Sequence, residues 1–318
     1  MDTNELWHLL QTQMDTIKKE SDSTHHPILE KALQSLKETI KTYLSEQVTA
    51  GLPHPHPRSR IYRSEPKSWD IYDRSSQEIL DLILKKTKNS KRKPACVFDL
   101  DGTLFDVGYR TLGILNEWLA SEASHHFDKR LLQKIAKLNY SHIGYSLSHA
   151  FENSGFDLRN QEMMSVFSAV ERFWKRKFFD GNTLVKYDKL MNNADIFVNE
   201  LNKNDIAIFY LTGRYSHSML KGTEQQLQNF NFPFEKNKLI LKHNPHADDQ
   251  IFKAEQIRNI AEEYDIVGNF ENEYLNIAFM SLEAKDAINV IVDSQHSGRA
   301  TPSLDMPIYR ISHFNIIE

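Results

Sequence analysis

The sequence predicts an α/β fold in which helices cover both faces of a parallel sheet. From residue 95 onward, short apolar runs alternate with stretches that place apolar residues at helical spacing. The runs span residues 95–98, 206–211, 239–241, 266–268 and 288–292. Such alternation is typical of strand–helix–strand units, and continuous apolar runs are typical of strands buried on both faces. The composition, with 40% hydrophobic and 26% charged residues, is that of a globular chain able to bury such a sheet.

The chain before the first run predicts an N-terminal helical extension. Residues 1–49 carry apolar side chains at a spacing of three to four, interrupted at 21–27, and this pattern predicts two helices. Prolines break the periodicity over 51–60, which predicts a linker. A further helix is expected over 75–88, so we assign residues 1–90 to the extension and linker.

Charge, cysteine content and hydropathy limit the classes of function. The 318-residue chain has a formal net charge of −4, so we expect neither nucleic acid nor a membrane as a partner. The single cysteine, Cys96, lies in the first apolar run and cannot form a disulfide framework. The N-terminus is acidic and polar, and no stretch approaches the roughly 18 apolar residues of a spanning helix. We therefore expect a cytoplasmic protein, with the N-terminal helices as a candidate surface for a homodimer.

Two aspartates follow the first apolar run, in the sequence Phe-Asp-Leu-Asp-Gly-Thr. The spacing of two places Asp99 and Asp101 on the same side of an extended chain, and Gly102 allows a sharp turn after them. Two adjacent carboxylates can share a divalent cation, or divide into a nucleophile and an acid/base. The alternative is an ordinary turn after a buried strand, because Asp and Gly are common turn residues.

Residues 107–190 form a long insertion with helical spacing and no strand pattern. The spacing is clearest at Met163, Val166, Phe167 and Val170. A simple crossover between parallel strands needs only about a dozen residues. An insertion placed directly after paired carboxylates can instead act as a lid that excludes water and recognises the substrate.

The second apolar run ends in Thr-Gly-Arg, at the sheet edge where α/β proteins bind ligands. The hydroxyl of Thr212, the backbone of Gly213 and the start of a helix over 215–229 can bind phosphoryl oxygens. Arg214 can bind the substrate phosphate or lie on the surface. The other interpretation of Thr212 is a helix N-cap.

The fourth apolar run ends in acidic residues, in the sequence Gly-Asn-Phe-Glu-Asn-Glu. Mg²⁺ prefers oxygen ligands and is commonly held by one or two carboxylates together with waters. Glu271 and Glu273 can supply such oxygens beside Asp99 and Asp101. The sequence therefore predicts a magnesium site at this edge of the sheet.

With these motifs the chain resembles the haloacid dehalogenase (HAD) superfamily, whose first motif is Asp-x-Asp-x-Thr. Asp99, Asp101 and Thr103 match this motif position by position, and Thr212 matches the second motif. The forms Tyr-Leu-Thr-Gly-Arg, Phe-Lys and Phe-Glu-Asn-Glu are similar to a bacterial, acid-phosphatase-like subset. The resemblance covers the order of elements over residues 95–300.

The resemblance implies a HAD-like Rossmannoid parallel sheet with the strand order 3-2-1-4-5 and a helical cap inserted after strand 1. We accordingly expect residues 91–106 and 191–318 to form the catalytic core and residues 107–190 to form the cap. The resemblance also implies a lysine after the third strand. Lys253 occupies that place, and Lys242 and Lys236 are the alternatives.

The chain departs from the commonest fourth HAD motif, Gly-Asp-x-x-x-Asp. Asn269 occupies the first acidic position and Glu273 the second. Either the glutamate reaches the metal from further along the chain, or Asn269 is a neutral ligand. The resemblance therefore leaves open which residue completes the metal site.

The mechanism implied by the resemblance is phosphoryl transfer to an aspartate. Asp99 would attack phosphorus while Mg²⁺ holds its other oxygen, and Asp101 would start neutral, protonate the leaving alcohol and later activate water. The backbone carbonyl of Asp101 would also bind the metal, and Thr212 and Lys253 would stabilise the negative charge. Thr103, Gly213 and Arg214 would bind the substrate.

Three functions are compatible with this sequence. The first is a phosphatase that acts on a small phosphorylated metabolite, because a large cap leaves little room for protein substrates. The second is a phosphotransferase or nucleic-acid-end phosphatase with the same intermediate. The third is a binding or scaffold protein that uses its N-terminal helices.

Overall fold

A computed structural model describes Pro66 and residues 68–316 of the chain. The predicted helices within residues 1–49, the linker over 51–60 and any dimer surface there lie outside the described residues. Within the described part, no helix is long and apolar enough to cross a membrane.

The described chain contains nine strands and ten α-helices. The strands are β1 (Ile71–Asp73), β2 (Pro94–Phe98), β3 (Phe105–Asp106), β4 (Lys189–Leu190), β5 (Ala207–Tyr215), β6 (Leu239–Lys242), β7 (Asp265–Glu271), β8 (Ile288–Val292) and β9 (Ile308–Ile311). The helices are α1 (Ser76–Thr87), α2 (Gly108–Leu119), α3 (Lys129–Ile135), α4 (Leu147–Asn153), α5 (Gln161–Phe178), α6 (Gly181–Tyr187), α7 (Ala194–Lys203), α8 (Ser216–Asn229), α9 (Asp249–Glu263) and α10 (Tyr274–Glu283).

Seven strands form one parallel sheet in the order β1-β9-β8-β7-β2-β5-β6. The five predicted apolar runs are β2, β5, β6, β7 and β8, and their order in the sheet is the expected 3-2-1-4-5. The predicted fold class is therefore confirmed. The sheet differs in detail because β9 and β1 extend it beyond β8, and neither short strand was predicted.

The central strand β2 contributes side chains to both faces of the sheet. Cys96 and Phe98 pack into an apolar cluster with α1, α7 and α8, while Ala95 and Val97 pack into a second cluster with α9 and α10. Because successive strand residues point to opposite faces, one short apolar run supplies both cores. This double burial fixes β2, and with it the position of the aspartates that follow.

The helical insertion, residues 108–187, lies in the chain between β3 and β4. It has an apolar cluster of its own, formed by α2, α3, α4 and α5, with Trp118 and Phe151 fully buried at its centre. The chain enters and leaves the insertion through an antiparallel ribbon in which Phe105 is opposite Leu190.

Candidate active site

The carboxyl ends of three neighbouring strands bring the predicted site residues to one edge of the sheet. Strand β2 lies between β5 and β7, so the residues after β2, at the end of β5 and at the end of β7 converge. This edge is where parallel α/β sheets bind ligands.

Asp99 is buried at the end of β2, with 4% of its surface exposed. Its backbone N–H donates to the carbonyl of Phe270 on β7 at 2.9 Å. The ammonium of Lys253 lies 2.6 Å from Asp99 Oδ1, and the hydroxyl of Thr103 donates to Asp99 Oδ2 at 3.2 Å. The backbone turns at Gly102, whose φ of +87° favours glycine.

Lys253, on α9, joins Asp99 to a second buried carboxylate. Its Nζ lies 2.5 Å from Glu271 Oε2, and the other oxygen of Glu271 accepts the backbone N–H groups of Asn272 and Glu273. The other two candidate lysines lie elsewhere: Lys242 donates to the carbonyl of Ala247 at 2.9 Å, and Lys236 is exposed. Among the three, the structure brings only Lys253 to Asp99.

The ionisation of this trio reflects burial and mutual charge. Burial raises the pKa of Asp99, and the charge of Lys253 offsets only part of that rise. Burial and the charge of Asp99 raise the pKa of Glu271 to about 7, again against the charge of Lys253. Burial lowers the pKa of Lys253, but the two carboxylates outweigh it and raise the pKa above its usual range.

Asp101 has a different environment. Its side chain is 27% exposed, and it accepts hydrogen bonds from Arg110 at 3.0 and 3.2 Å and from Arg214 at 2.5 and 2.9 Å. Burial raises the pKa of Asp101, but the two guanidinium charges outweigh it and hold the pKa well below its usual range. The expectation of a neutral Asp101 is therefore not met, because the arginines favour the carboxylate.

The remaining predicted residues have other partners. The buried hydroxyl of Thr212 accepts the backbone N–H of Arg214 at 3.3 Å, next to Gly213 in an irregular stretch of β5. Asn269 lies inside the sheet, where its amide donates to Asn289 at 2.8 Å. Glu273 accepts hydrogen bonds from Ser297 and Arg299. The structure thus brings Glu271 to Asp99, and it directs Asn269 and Glu273 to other groups.

A chain of hydrogen bonds links the site to the helical insertion. The hydroxyl of Thr103, which donates to Asp99, also lies 3.4 Å from Asn272 Oδ1, and the amide of Asn272 donates to the carbonyl of Gln295 at 2.6 Å. The amide of Gln295 donates to the carbonyl of Ile143 in the insertion at 3.2 Å. The sequence analysis did not predict this linking role of Asn272, because Thr103 and Asn272 are far apart in the chain and meet only once the sheet has formed.

The oxygen atoms near Asp99 suit a hard cation. The described residues contain no ready-made cluster of three His, Cys, Asp or Glu side chains arranged to hold a metal. Two buried carboxylates, Asp99 and Glu271, nevertheless share one ammonium, so the ionised trio carries an excess negative charge. Carboxylate oxygens are the ligands that Mg²⁺ prefers, and a bound cation would balance that excess. The donor set therefore fits Mg²⁺ at Asp99 and Glu271, whereas the carboxylate of Asp101 is occupied by arginines.

One family model matches part of this chain. Residues 141–278 match the model of the HAD superfamily, subfamily IIIB (acid phosphatase). The matched segment contains Thr212, Lys253 and Glu271 and begins after Asp99 and Asp101. The match supports the resemblance to the HAD superfamily over less than half of the chain.

Solved structures that align with part of this chain include the following three. A class C acid phosphatase from Bacillus anthracis with tungstate bound is 16% identical, with 62% of this chain and 59% of that chain covered and a TM-score of 0.36. A haloacid dehalogenase-like hydrolase from Streptococcus pneumoniae is 15% identical (68% and 92% covered, TM-score 0.35). A HAD-superfamily hydrolase of subfamily IA from Geobacter sulfurreducens is 12% identical (71% and 95% covered, TM-score 0.39). No curated protein is matched by the chain.

Proposed function

We propose that the protein is a Mg²⁺-dependent phosphatase that hydrolyses the phosphomonoester of a small metabolite through an aspartyl-phosphate on Asp99. The observation that carries this proposal is the buried trio of Asp99, Lys253 and Glu271 at the carboxyl edge of the sheet. Phosphoryl transfer depends mainly on positioning and on neutralising charge. The buried nucleophile and the adjacent ammonium provide both.

In the first step, a carboxylate oxygen of Asp99 forms a bond to phosphorus as the bond from phosphorus to the leaving oxygen breaks. Asp101, ionised in the substrate-free protein, takes up a proton from solvent when the negatively charged phosphomonoester binds beside it, and gives this proton to the leaving oxygen. In the second step, water attacks the phosphoaspartate, Asp101 takes the proton from that water, and Asp99 is restored. Mg²⁺, held by Asp99 and Glu271, would neutralise negative charge on the phosphoryl group.

The residues around Asp99 have distinct tasks in this proposal. The ammonium of Lys253, 2.6 Å from Asp99, stabilises the charge that spreads over the phosphoryl oxygens. The hydroxyl of Thr103 holds Asp99 in orientation from the other side. Thr212 and the backbone of Gly213 bind phosphoryl oxygens at the end of β5.

We also propose that the helical insertion is a cap over the catalytic core, and that residues 107–190 form it. Its separate apolar cluster and its entry and exit through the ribbon of β3 and β4 support this division. The core then comprises residues 91–106 and 191–318, and β1 and α1 join it from the segment predicted as an extension, because β1 pairs with β9 and α1 packs against β2. A cap of this size favours small phosphorylated substrates.

The proposal is tested with a panel of phosphorylated metabolites, using the full chain in Mg²⁺ and in excess EDTA. Asp99→Asn should abolish phosphate release and leave the circular dichroism spectrum and thermal midpoint near those of the unmodified protein. Asp81→Asn, on the exposed side of α1, is the matched control and should retain activity. Turnover by a folded Asp99→Asn protein would exclude Asp99 as the nucleophile, and full activity in EDTA would exclude the metal.

A further inference from the structure

A buried cluster of three charged residues and one glutamine joins the helical insertion to the edge of the sheet. We call Arg110, Asp188, Arg214 and Gln226 the arginine clamp. Arg110 lies on α2 and Asp188 follows α6, at the two ends of the insertion, while Arg214 and Gln226 lie on β5 and α8. All four residues are at least 96% buried.

Arg110 is bound by protein acceptors on every side. Its Nε and Nη2 form a fork on Asp188 at 2.7 and 2.5 Å, and its Nη2 and Nη1 form a second fork on Asp101 at 3.0 and 3.2 Å. Its Nη1 also donates to the backbone carbonyl of Phe178 at 3.2 Å, and the guanidinium lies 4.5 Å from the centre of the Phe178 ring. All five N–H groups of Arg110 therefore have an acceptor.

Arg214 is equally saturated. Its Nε and Nη2 donate to Asp101 Oδ1 at 2.9 and 2.5 Å, and its Nη2 approaches Asp188 at 3.4 Å. Its Nη1 donates to Thr223 at 3.1 Å and to Gln226 at 2.8 Å. The amide of Gln226 in turn donates to Asp188 at 2.9 Å.

These contacts direct both arginines to Asp101. With their N–H groups occupied by acceptors in the described part of the chain, neither Arg110 nor Arg214 offers a donor to a substrate oxygen. Asp188 accepts from both guanidiniums and from Gln226 without contacting Asp101, and it supplies the second negative charge. Together with Asp101, the clamp contains two positive and two negative charges, and this balance lowers the cost of burying it.

We infer that Asp188 and Gln226 are positioning residues, which hold the guanidinium groups of Arg110 and Arg214 on Asp101 and so orient the carboxyl group that transfers the leaving-group proton. The inference rests on the proposed function, in which Asp101 gives a proton to the leaving oxygen as the P–O bond breaks. Loss of either residue frees N–H groups of the arginines, so the forks on Asp101 can turn away. The first step then lacks a well-placed proton donor.

The test compares two aryl phosphates whose leaving groups need a proton to different degrees. Phenol has a pKa near that of tyrosine, about 10, so its departure needs protonation, whereas dinitrophenolate is stable without a proton. Because kcat/KM covers the steps up to departure of the leaving group, it reports the proton transfer. For Asp188→Asn we expect kcat/KM to fall about 100-fold with phenyl phosphate, within the range of general-acid effects. With dinitrophenyl phosphate we expect a change of less than about threefold, since that leaving group needs no such acid.

Two further variants keep the test decisive. Gln226→Met preserves all four charges of the cluster and should show the same selective loss, about tenfold on phenyl phosphate, even if Asp188→Asn does not fold. Glu117→Gln is the control, because Glu117 pairs with Lys177 and Lys186 within the insertion and does not contact the clamp. It should leave both substrates unchanged.

An equal loss with both substrates, or no loss in the folded Asp188→Asn and Gln226→Met proteins, would overturn the inference. The proposed function fails in a different way. In that case the unmodified protein releases phosphate from neither substrate in Mg²⁺, or Asp99→Asn remains active.

Discussion

Lys253 shows how one side chain can organise a site. It places a single ammonium 2.6 Å from Asp99 and 2.5 Å from Glu271, in surroundings where it is 2% exposed. Removal of this charge leaves two carboxylates buried without a cationic partner, which is among the costliest single changes in a protein interior.

We expect Lys253→Met to lower kcat/KM by at least about 100-fold, because a charge-stabilising group is lost. We also expect it to lower the free energy of unfolding by about 3 kcal/mol in EDTA. Lys203→Met is the comparison, since Lys203 is exposed and pairs with Glu200 on its own helix, and it should retain activity within about threefold. Steady-state kinetics and urea titration measure both quantities, and equal losses in the two variants would contradict the assignment of Lys253.

The raised pKa of Glu271 predicts a pH-dependent stability of the metal-free protein. Its pKa is about 7 in the folded chain against an ordinary value of 4.5, so the folded form holds its proton more tightly. The contribution of Glu271 to the stability of the folded state is complete below pH 4.5 and is lost as pH rises through 7. In EDTA, Glu271→Gln should therefore gain thermal stability relative to the unmodified protein as pH rises from about 5 to 8.

Glu117→Gln is the control for this pH effect. Hydrogen bonds from Lys186 and Tyr187 lower the pKa of Glu117 to about 2, so its contribution to stability is constant above the ordinary value of 4.5. The difference in melting temperature between this variant and the unmodified protein should not change over the same range. A parallel pH dependence for the two variants would refute the role of Glu271.

At the residue scale, motifs formed by neighbouring residues could be predicted from the sequence, whereas contacts between residues far apart in the chain could not. Asp99, Asp101 and Thr103 follow one strand within five residues, so their spacing predicts a shared site. Asp188 and Arg110 are 78 positions apart and meet only through the fold of the insertion. Nothing in their spacing marks them as partners.

At the scale of elements, the turn after β2 depends on Gly102. Its φ of +87° is strained for other residues, and a Cβ there would collide with the side chain of Asn272. Gly155, in the helical insertion, has the same φ of +87° with nothing within 4 Å of the position of a Cβ. Comparison of substitutions at the two glycines therefore distinguishes the cost of backbone strain from the cost of a steric clash.

Gly155→Ala should lower the free energy of unfolding by about 1 kcal/mol, the cost of the backbone conformation alone. Gly102→Ala should cost at least about 1 kcal/mol more and should also lower kcat/KM, because Asn272 must move away from Thr103. Chemical denaturation and kinetics of both variants provide the measurement. Equal stability losses with unchanged activity would show that Asn272 moves without consequence.

The long apolar strands were predictable because buried parallel strands are continuous apolar runs. The run predicted at 206–211 extends to Tyr215 in β5, past the Thr-Gly-Arg motif. The strands β1 and β9, of three and four residues, are too short and too mixed in polarity to give a pattern. The helix predicted over 75–88 is α1, whose start follows from a capping box between Ser75 and Glu78.

At the scale of the whole molecule, the buried thiol of Cys96 is a probe of global unfolding. Cys96 lies at the centre of β2 with 0% exposure, and burial raises the pKa of its thiol. The native protein should therefore react with a thiol reagent at least about 100-fold more slowly than the protein unfolded in guanidinium. Since Cys96 is the single cysteine, the absorbance of the thiolate released from an aromatic disulfide reagent measures the reaction of Cys96 directly. Rapid labelling under native conditions would show that the sheet opens locally at β2.

The ribbon of β3 and β4 makes the two parts of the molecule separable in sequence. Asp106 lies opposite Lys189, and an antiparallel pair of this kind can be closed by a turn of two residues. Everything between these positions can thus be shortened, lengthened or exchanged without rerouting the chain through the sheet. A grafted chain with a two-residue turn in place of the helices would keep Asp99, Lys253 and Glu271, and would lose two of the four clamp residues, Arg110 and Asp188. In the proposed function, variation of the insertion would therefore diversify what the molecule recognises while the carboxylates proposed to react stay where they are.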